Sequence, residues 1–203
     1  MLRLNSKLAF SMAALPLAVL AETQCASTER ENTAIEPTTP TSDFILHDDG
    51  TATHLKTDLM WKRCTVGTVW NAAEQDCLSA EVSGGGDEED DEEDFMFRWS
   101  GALNYVQNLN DSGGYAGYSD WRLPNLNEYE SIAELRCWDP AVNTAVFPGI
   151  VYQLNNDNYW TSSPYARNPS GTSNVWNMHF GMGGPNFSDR FAKNYILLVR
   201  DTD

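Results

Sequence analysis

The segment GGYAGYSDWRLPNLNEYESIAELRCW, residues 113–138, contains the clearest structural signals of the sequence. A glycine-rich turn opens it, and a predicted helix then begins near Pro124 and ends by Asp139. Asn125 can cap this helix, and Glu128, three residues later, can complete a capping box. Apolar residues at three- and four-residue spacing predict one buried face, formed by Leu126, Tyr129, Ile132, Ala133 and Leu135.

A second helix is predicted before this segment, over Ser100 to Asn110. Its apolar residues lie on one face and its amides lie away from it, as in an amphipathic helix packed on a core. The apolar face consists of Ala102, Leu103, Val106 and Leu109.

The remainder of the chain predicts strands and loops. The Asp49-Gly50 step is a strong turn signal between short apolar runs, which predicts an opening hairpin with Trp61 directed inward. After Ala141, short apolar runs alternate with loops rich in Asn, Ser, Gly and Pro. Hairpins, two helices and a late sheet follow one another, so the predicted class is α+β and not alternating β-α-β.

The N-terminal region divides into two predicted parts. Residues 1–21 have a basic start, an apolar run and a small-residue cleavage site, as a secretory signal peptide does. The apolar run is shorter than the roughly 20 residues that a membrane span needs, so no span is predicted. Residues 22–42 are rich in Thr, Glu, Pro and Ser, and predict a disordered linker before a domain over 43–203.

Four cysteines are present in a chain that is predicted to be exported. Cys64 and Cys77 close a short loop, so pairing between them is expected in an oxidising compartment. Cys137 can pair with Cys25, stay free in the core, or pair between chains, and the sequence leaves these alternatives open.

The formal net charge is −16, and half of it comes from the eight consecutive acids of residues 87–94. Nucleic acid is disfavoured as a partner, because phosphate binding needs a basic surface. Like charges at this density extend the chain, so residues 83–94 predict a solvated acidic loop. Weak calcium association is the alternative, with carboxylate ligands drawn from Asp87, Glu88, Asp90, Asp91 and Asp94. No other cofactor is expected.

Several motifs occur together in one order and resemble a known family. They are Asp49-Gly50-Thr51, Leu59-Met60-Trp61, Trp99, Gly117 to Asn125, Asn143 with Phe147-Pro148, Tyr159 to Ser163, and Val199-Arg200. Their order resembles the DUF1566 family, which includes the C-terminal domain of the Legionella collagen-like adhesin, over about residues 43–200. The run Arg122 to Glu130 is also similar to a segment of the formylglycine-generating enzyme and sulfatase-modifying superfamily.

The resemblance implies a C-type-lectin-like fold, with two helices packed on a small, irregular antiparallel sheet with long loops. It also implies binding outside the cell, since the adhesin member recognises host glycosaminoglycans through a trimeric domain. The present chain lacks collagen-like repeats and carries the acidic insert. A sulfated polyanion is therefore a poor ligand unless the basic residues cluster away from the insert, namely Lys62, Arg63, Arg122, Arg136, Arg190 and Lys193.

Catalysis is not expected. The formylglycine-generating enzymes need a cysteine pair near the end of the domain, whereas the last cysteine here is Cys137. The three histidines, His47, His54 and His179, fall in turn and strand contexts, and no serine has a nucleophile-elbow pattern around it.

Aromatic residues on late loops are the candidate binding residues. Sugar binding uses aromatic faces beside a few polar groups, and the candidates are Tyr152, Tyr159, Tyr165 and Trp176. Four tryptophans are assigned to the core: Trp61, Trp99, Trp121 and Trp160. The motif Asp120, Trp121, Arg122, Leu123, Pro124, Asn125 is interpreted as architecture, with Arg122 bound to loop carbonyls or to a carboxylate.

The sequence therefore predicts an exported bacterial binding or adhesion domain that recognises an extracellular glycan or surface protein without turnover. The alternative is a structural or assembly module of the cell envelope. The two alternatives differ in what they expose: a glycan reader exposes loop aromatics, and an assembly module exposes an apolar patch. The sequence does not determine the oligomeric state.

Overall fold

The computed structural model describes residues 24–79, 96–151, 158–166 and 173–202. The predicted signal peptide, the acidic run and Tyr152 lie outside these ranges. Within them, two helices and three small antiparallel sheets confirm the α+β class. The strands are Phe44–Leu46 (β1), Thr51–His54 (β2), Leu59–Lys62 (β3), Thr68–Asn71 (β4), Asp76–Ser79 (β5), Asn158–Pro164 (β6), Asn174–His179 (β7), Gly184–Asp189 (β8) and Val199–Asp201 (β9), and the helices are Trp99–Asp111 (α1) and Leu126–Ser131 (α2).

The largest sheet has the strand order β1-β2-β3-β9. Its first hairpin turns at Gly50, whose φ of +83° suits glycine because a side chain is disfavoured in this region. In β3, Trp61 is opposite Ala52 on one side and Val199 on the other. The last strand therefore extends the sheet that the opening hairpin begins, with β1 and β9 at its two edges.

The other two sheets are local in sequence. Strands β4 and β5 form a hairpin, and β6, β7 and β8 form a three-stranded antiparallel sheet. The backbone of Trp160 donates to Tyr195 O at 2.9 Å, which fastens the three-stranded sheet to the chain that leads into β9. This contact places β6 beside the segment that leads into β9.

The core has two adjoining clusters of buried apolar residues. Trp61, Tyr129 and Phe147 lie in the first, and Trp121 and Trp160 lie in the second. Three of the four tryptophans assigned to the core are at most 2% exposed, and Trp99 is partly buried against the second cluster. Burial of such large side chains supplies much of the driving force for folding.

Helix α2 begins where the sequence predicts and ends earlier. The Asn125 side chain accepts from Glu128 N at 3.0 Å, and Glu128 Oε2 accepts from Asn125 N at 2.7 Å, so the predicted capping box is present. The helix ends at Ser131 instead of continuing to Asp139. The chain then pairs with a different segment, since Glu134 N donates to Ala141 O at 3.1 Å.

Part of the predicted apolar face therefore does not belong to a helix. Ile132 and Ala133 are buried, but they follow the end of α2. Leu135, which the stripe placed on the buried face, is 56% exposed. Three- and four-residue spacing continued past the helix end because the loop after it also directs side chains into the core.

The prediction that residues 22–42 form a disordered linker is wrong for residues 24–42. Gln24 O accepts from Thr144 N at 2.8 Å, and Thr39 N donates to Glu134 Oε2 at 2.8 Å. Glu134 is fully buried and also accepts hydrogen bonds from Thr38. Hydrogen bonds to a buried carboxylate fix a segment that has few large apolar residues to bury.

Covalent and ionic contacts complete this attachment. Cys25 and Cys137 form a disulfide across a sequence separation of 112, which settles the pairing that the sequence left open. Arg136 contacts Glu31 at 2.7 Å and Arg30 contacts the carboxylate of Asp139 at 2.9 Å. The Cys64–Cys77 disulfide is also present, as predicted from spacing and export.

Candidate functional site

The motif that precedes α2 lies between the first helix and the last strand. Asn110 of α1 donates to Trp121 O at 2.8 Å and accepts from Trp121 N at 3.1 Å. Arg122 and Val199 exchange two backbone hydrogen bonds at 2.9 and 3.0 Å. Trp121 and Leu123 are each 2% exposed. These contacts are those of an architectural segment that joins α1, α2 and β9.

Both arginines around this motif are bound by carboxylates. Arg122 donates to both oxygens of Glu128 at 2.8 and 2.9 Å and to Asp201 at 2.8 Å. The hydrogen bonds to Glu128 are the largest cause of a raised pKa at Arg122. Hydrogen bonds from Arg200 hold the pKa of Asp120 below its ordinary value. The predicted carboxylate partner of Arg122 is therefore Glu128, which also caps α2.

Three aromatic side chains form a cluster on the three-stranded sheet. Tyr165 follows β6, Trp176 lies in β7 and Phe187 lies in β8. The ring centroids of Tyr165 and Trp176 are 4.7 Å apart, and those of Tyr165 and Phe187 are 4.6 Å apart. Tyr165 and Trp176 are half-buried, and Phe187 is 47% exposed. We call Tyr165, Trp176 and Phe187 the aromatic cluster.

Two of the four aromatic candidates from the sequence are members of this cluster, Tyr165 and Trp176. Tyr159, the third, is fully buried among Tyr129, Phe180 and Tyr195, so it is not accessible to a ligand. Its hydroxyl contacts Thr65 Oγ1 at 2.8 Å, which satisfies its polar end inside the core. The fourth candidate, Tyr152, lies outside the described residues.

Phe187 was not among the sequence candidates. It is directly opposite Trp176 in the antiparallel pair of β7 and β8, which places both side chains on one face of the sheet. In the sequence, Gly183-Gly184 lies between two runs of alternating residues, which is a pattern typical of a hairpin. Recognising the pair requires the register across that turn, which pairs Trp176 with Phe187.

The six basic residues considered for polyanion binding do not share a free basic face. Lys62 and Arg63 are 6% and 1% exposed, and burial lowers the pKa of Lys62 to about 7. Arg122 and Arg136 each contact a carboxylate. Of the remaining two, Arg190 is exposed and its guanidinium lies 4.9 Å from the ring centroid of Phe191.

The described residues include neither a metal-binding group of side chains nor a membrane-spanning helix. Over residues 24–79, 96–151, 158–166 and 173–202, no group of three or more His, Cys, Asp or Glu side chains is arranged to hold a metal ion. In the same ranges, no helix has the length and apolar character needed to cross a bilayer. The acidic candidates Asp87, Glu88, Asp90, Asp91 and Asp94 lie outside these ranges.

Comparison with known proteins agrees with the sequence resemblance. A search of curated proteins found no match to this chain. The family model described as the Lcl C-terminal domain matches residues 50–200, from the turn of the first hairpin to Arg200 in the last strand. The match includes the architectural motif, both helices and the aromatic cluster. The chain belongs to the family of Lcl C-terminal domains.

Proposed function

We propose that this chain is an extracellular binding domain that contacts a glycan through the aromatic cluster, without turnover. The observation that carries the proposal is the partly exposed grouping of Tyr165 with Trp176 and Phe187, the last two paired on one sheet face. Aromatic rings on a rigid sheet offer flat apolar faces of the kind that stack on a sugar ring. Polar side chains such as Asn174, at the end of β7, are available beside them for hydroxyl groups.

The charge distribution favours an uncharged sugar over a sulfated one. Four of the six basic residues considered are buried or bound to carboxylates, so they supply little attraction for a polyanion. The net charge of −16 adds a general repulsion. We therefore expect stacking and hydrogen bonding, and not ion pairing, to dominate the affinity.

The cysteines support a role without turnover. All four form disulfides, so the chain carries no reactive thiol of the kind that formylglycine generation requires. Two disulfides and membership of the family are compatible with an extracellular location. Export through residues 1–21 is part of the proposal.

A glycan array with the disulfide-bonded chain tests this function, in the presence and absence of calcium and at two salt concentrations. We expect saturable binding to uncharged glycans that persists at the higher salt concentration. The variant Trp176→Ala should lose it, while Trp138→Ala should not, since Trp138 is a 45% exposed tryptophan outside the cluster. Binding that survives Trp176→Ala, or that occurs only with sulfated glycans and fades with salt, would contradict the proposal.

An assembly module is the second candidate, and one observation favours it. Val69 and Leu78 are directly opposite in the β4–β5 hairpin and are 56% and 45% exposed. Such an apolar pair on an open hairpin can pack against another copy. Sedimentation of the chain and of Val69→Thr distinguishes the candidates: self-association that the substitution abolishes favours assembly, and a monomer at all concentrations excludes it.

A further inference from the structure

An open groove of about 450 Å³ lies between α1 and the architectural motif, and its lining includes no residue of the aromatic cluster. Its floor is formed by the apolar side chains of Val106 and Leu123, which are 8% and 2% exposed. Leu103, at 39% exposure, forms part of one wall. The volume falls in the range of sites that hold small ligands or a few side chains. The lining residues are Leu103, Val106, Gln107, Asn110, Asp111, Arg122, Leu123 and Ser162.

Hydrogen bonds within the fold join the walls of this groove. The paired hydrogen bonds between Asn110 and Trp121 hold the end of α1 against the motif. On the other side, Ser162 N of β6 donates to Pro124 O at 2.8 Å. A preformed groove loses little conformational entropy on binding, which raises the affinity available from a small contact.

The rim has polar groups that are not used within the fold. Among the described residues, the side chains of Gln107, Asp111 and Ser162 make no hydrogen bond or ion pair, whereas the amide of Asn110 is fully engaged with Trp121. An apolar floor with unused donors and acceptors at its edge matches an amphipathic ligand.

The charge of the rim is negative. Arg122 is the cation that lines the groove, and it is already contacted by Glu128 and Asp201. Asp111 has no cationic partner among the described residues and is exposed. An anionic ligand is therefore repelled and a cationic group near Asp111 is attracted.

We propose that this groove binds a segment of a partner polypeptide in which leucine-sized side chains flank a lysine or arginine. The apolar side chains pack on Leu103 above the floor of Val106 and Leu123, and the cation lies against Asp111. The lining includes no aromatic ring, so a sugar has no face to stack on, and the lack of an unpaired cation disfavours a phosphate or sulfate group. The site is separate from the proposed glycan contact and does not depend on it.

Titration of the ¹⁵N-labelled chain with acetyl-Gly-Leu-Lys-Leu-Gly-amide tests this site by NMR. We expect saturable amide shifts in the second half of α1 and around Leu123. Replacing the lysine with glutamate should weaken binding by about fivefold or more at low salt, the size expected for an exposed charge pair. Replacing both leucines with serine should abolish the shifts. Absence of shifts at the groove, or equal binding by the serine peptide, overturns the proposal.

Three substitutions separate the contribution of the charge at Asp111 from that of the apolar contact at Leu103. Asp111→Asn should abolish the preference for lysine over glutamate while leaving the leucine contacts. Leu103→Gln should weaken binding severalfold, whereas Leu78→Gln, at a similarly exposed leucine of β5, should have no effect. Retention of the charge preference in Asp111→Asn, or equal losses in the two leucine variants, also overturns it. A negative glycan array leaves these expectations unchanged, because no residue is shared between the two sites.

Discussion

Arg200 binds both carboxylate oxygens of Asp120, with Nε at 2.7 Å from Oδ1 and Nη2 at 3.1 Å from Oδ2. The arginine is 3% exposed in the last strand, and the aspartate begins the motif that leads to α2. The guanidinium also lies 4.1 Å from the ring centroid of Tyr118. The Arg200–Asp120 pair therefore joins β9 to residues 113–138, the segment with the clearest structural signals in the sequence.

Asp120→Ala should destabilise the domain by about 1–3 kcal/mol, because it removes two charged hydrogen bonds from a buried guanidinium. Asp201→Ala removes the exposed partner of Arg122 and should cost less than about 1 kcal/mol. Urea denaturation of the two variants measures the difference. Equal losses would show that burial of Arg200 does not determine the effect.

The Asp120–Arg200 pair also makes the free energy of unfolding depend on pH. Because the pKa of Asp120 is lowered in the folded state, its stabilisation is present above the unfolded pKa and is lost as the pH falls through the folded pKa. Asp120→Asn should therefore show a smaller loss of stability than the parent chain between pH 5 and the acid limit. Parallel stability curves for the two chains would contradict this assignment.

Burial of Lys62 predicts that the free energy of unfolding increases as the pH rises above neutrality. Its ammonium group is buried and donates to Cys64 O at 2.8 Å, and burial lowers its pKa to about 7. Between about pH 7 and pH 10, the amine of Lys62 is protonated in the unfolded chain and neutral in the folded chain. The free energy of unfolding should therefore rise with pH across this window. Lys62→Met should flatten the rise, which urea denaturation at pH 7, 8 and 9 measures. An unchanged slope in Lys62→Met would assign the rise to another group.

Gly50 and Gly117 form a matched pair for separating backbone strain from steric contact. Both have positive φ, +83° and +84°. A Cβ at Gly50 would lie 2.6 Å from Trp70 Cβ and would also meet the Tyr115 hydroxyl, whereas a Cβ at Gly117 would have no atom within 4 Å. Gly117→Ala should cost about 1–2 kcal/mol from strain alone.

Gly50→Ala should cost more than Gly117→Ala, because Trp70 and Tyr115 must move as well. Thermal unfolding of both variants, with the parent chain as reference, gives the difference directly. A smaller loss at Gly50 than at Gly117 would mean that the hairpin turn relaxes around the added methyl group.

Glu134 is predicted to hold the N-terminal segment. Its carboxylate accepts from Thr38 N and Thr39 N at 3.0 and 2.8 Å, in a fully buried position. Glu134→Ala should leave these donors without their partner and should raise amide hydrogen exchange at both threonines by an order of magnitude or more. Glu130→Ala, at an exposed glutamate of α2, is the control. Unchanged protection in Glu134→Ala would show that the disulfide and the other contacts fix the segment without Glu134.

The features that sequence could predict are those set by neighbours in the chain. The capping box depends on residues three positions apart, the hairpin depends on the Asp49-Gly50 turn, and α1 depends on its apolar spacing. The Cys64–Cys77 disulfide follows from a short loop in an oxidising compartment. In each case the deciding interaction is local, and short-range geometry is sufficient.

The features that sequence missed depend on distant partners. Thr39 and Glu134 are 95 positions apart. The segment that contains Thr39 has the composition of a linker, so composition alone does not reveal this contact. The end of α2 is set by pairing of Glu134 with Ala141, and the cluster member Phe187 is identified only by its register with Trp176. Tyr159, which polar residues precede in the sequence, packs its ring in the core on Phe180, and its hydroxyl is satisfied by Thr65.

The Cys25–Cys137 disulfide determines how the domain would carry mechanical load. Tension applied to the chain before Cys25 passes through the sulfur atoms directly to Cys137 and leaves through β9. The cysteines are 112 positions apart, so about 370 Å of backbone, at roughly 3.3 Å per residue, is removed from the length that force can extend. The first sheet hairpin, α1, α2 and the second disulfide lie inside this shielded loop, whereas β6, β7, β8 and β9 follow Cys137 and would carry the load.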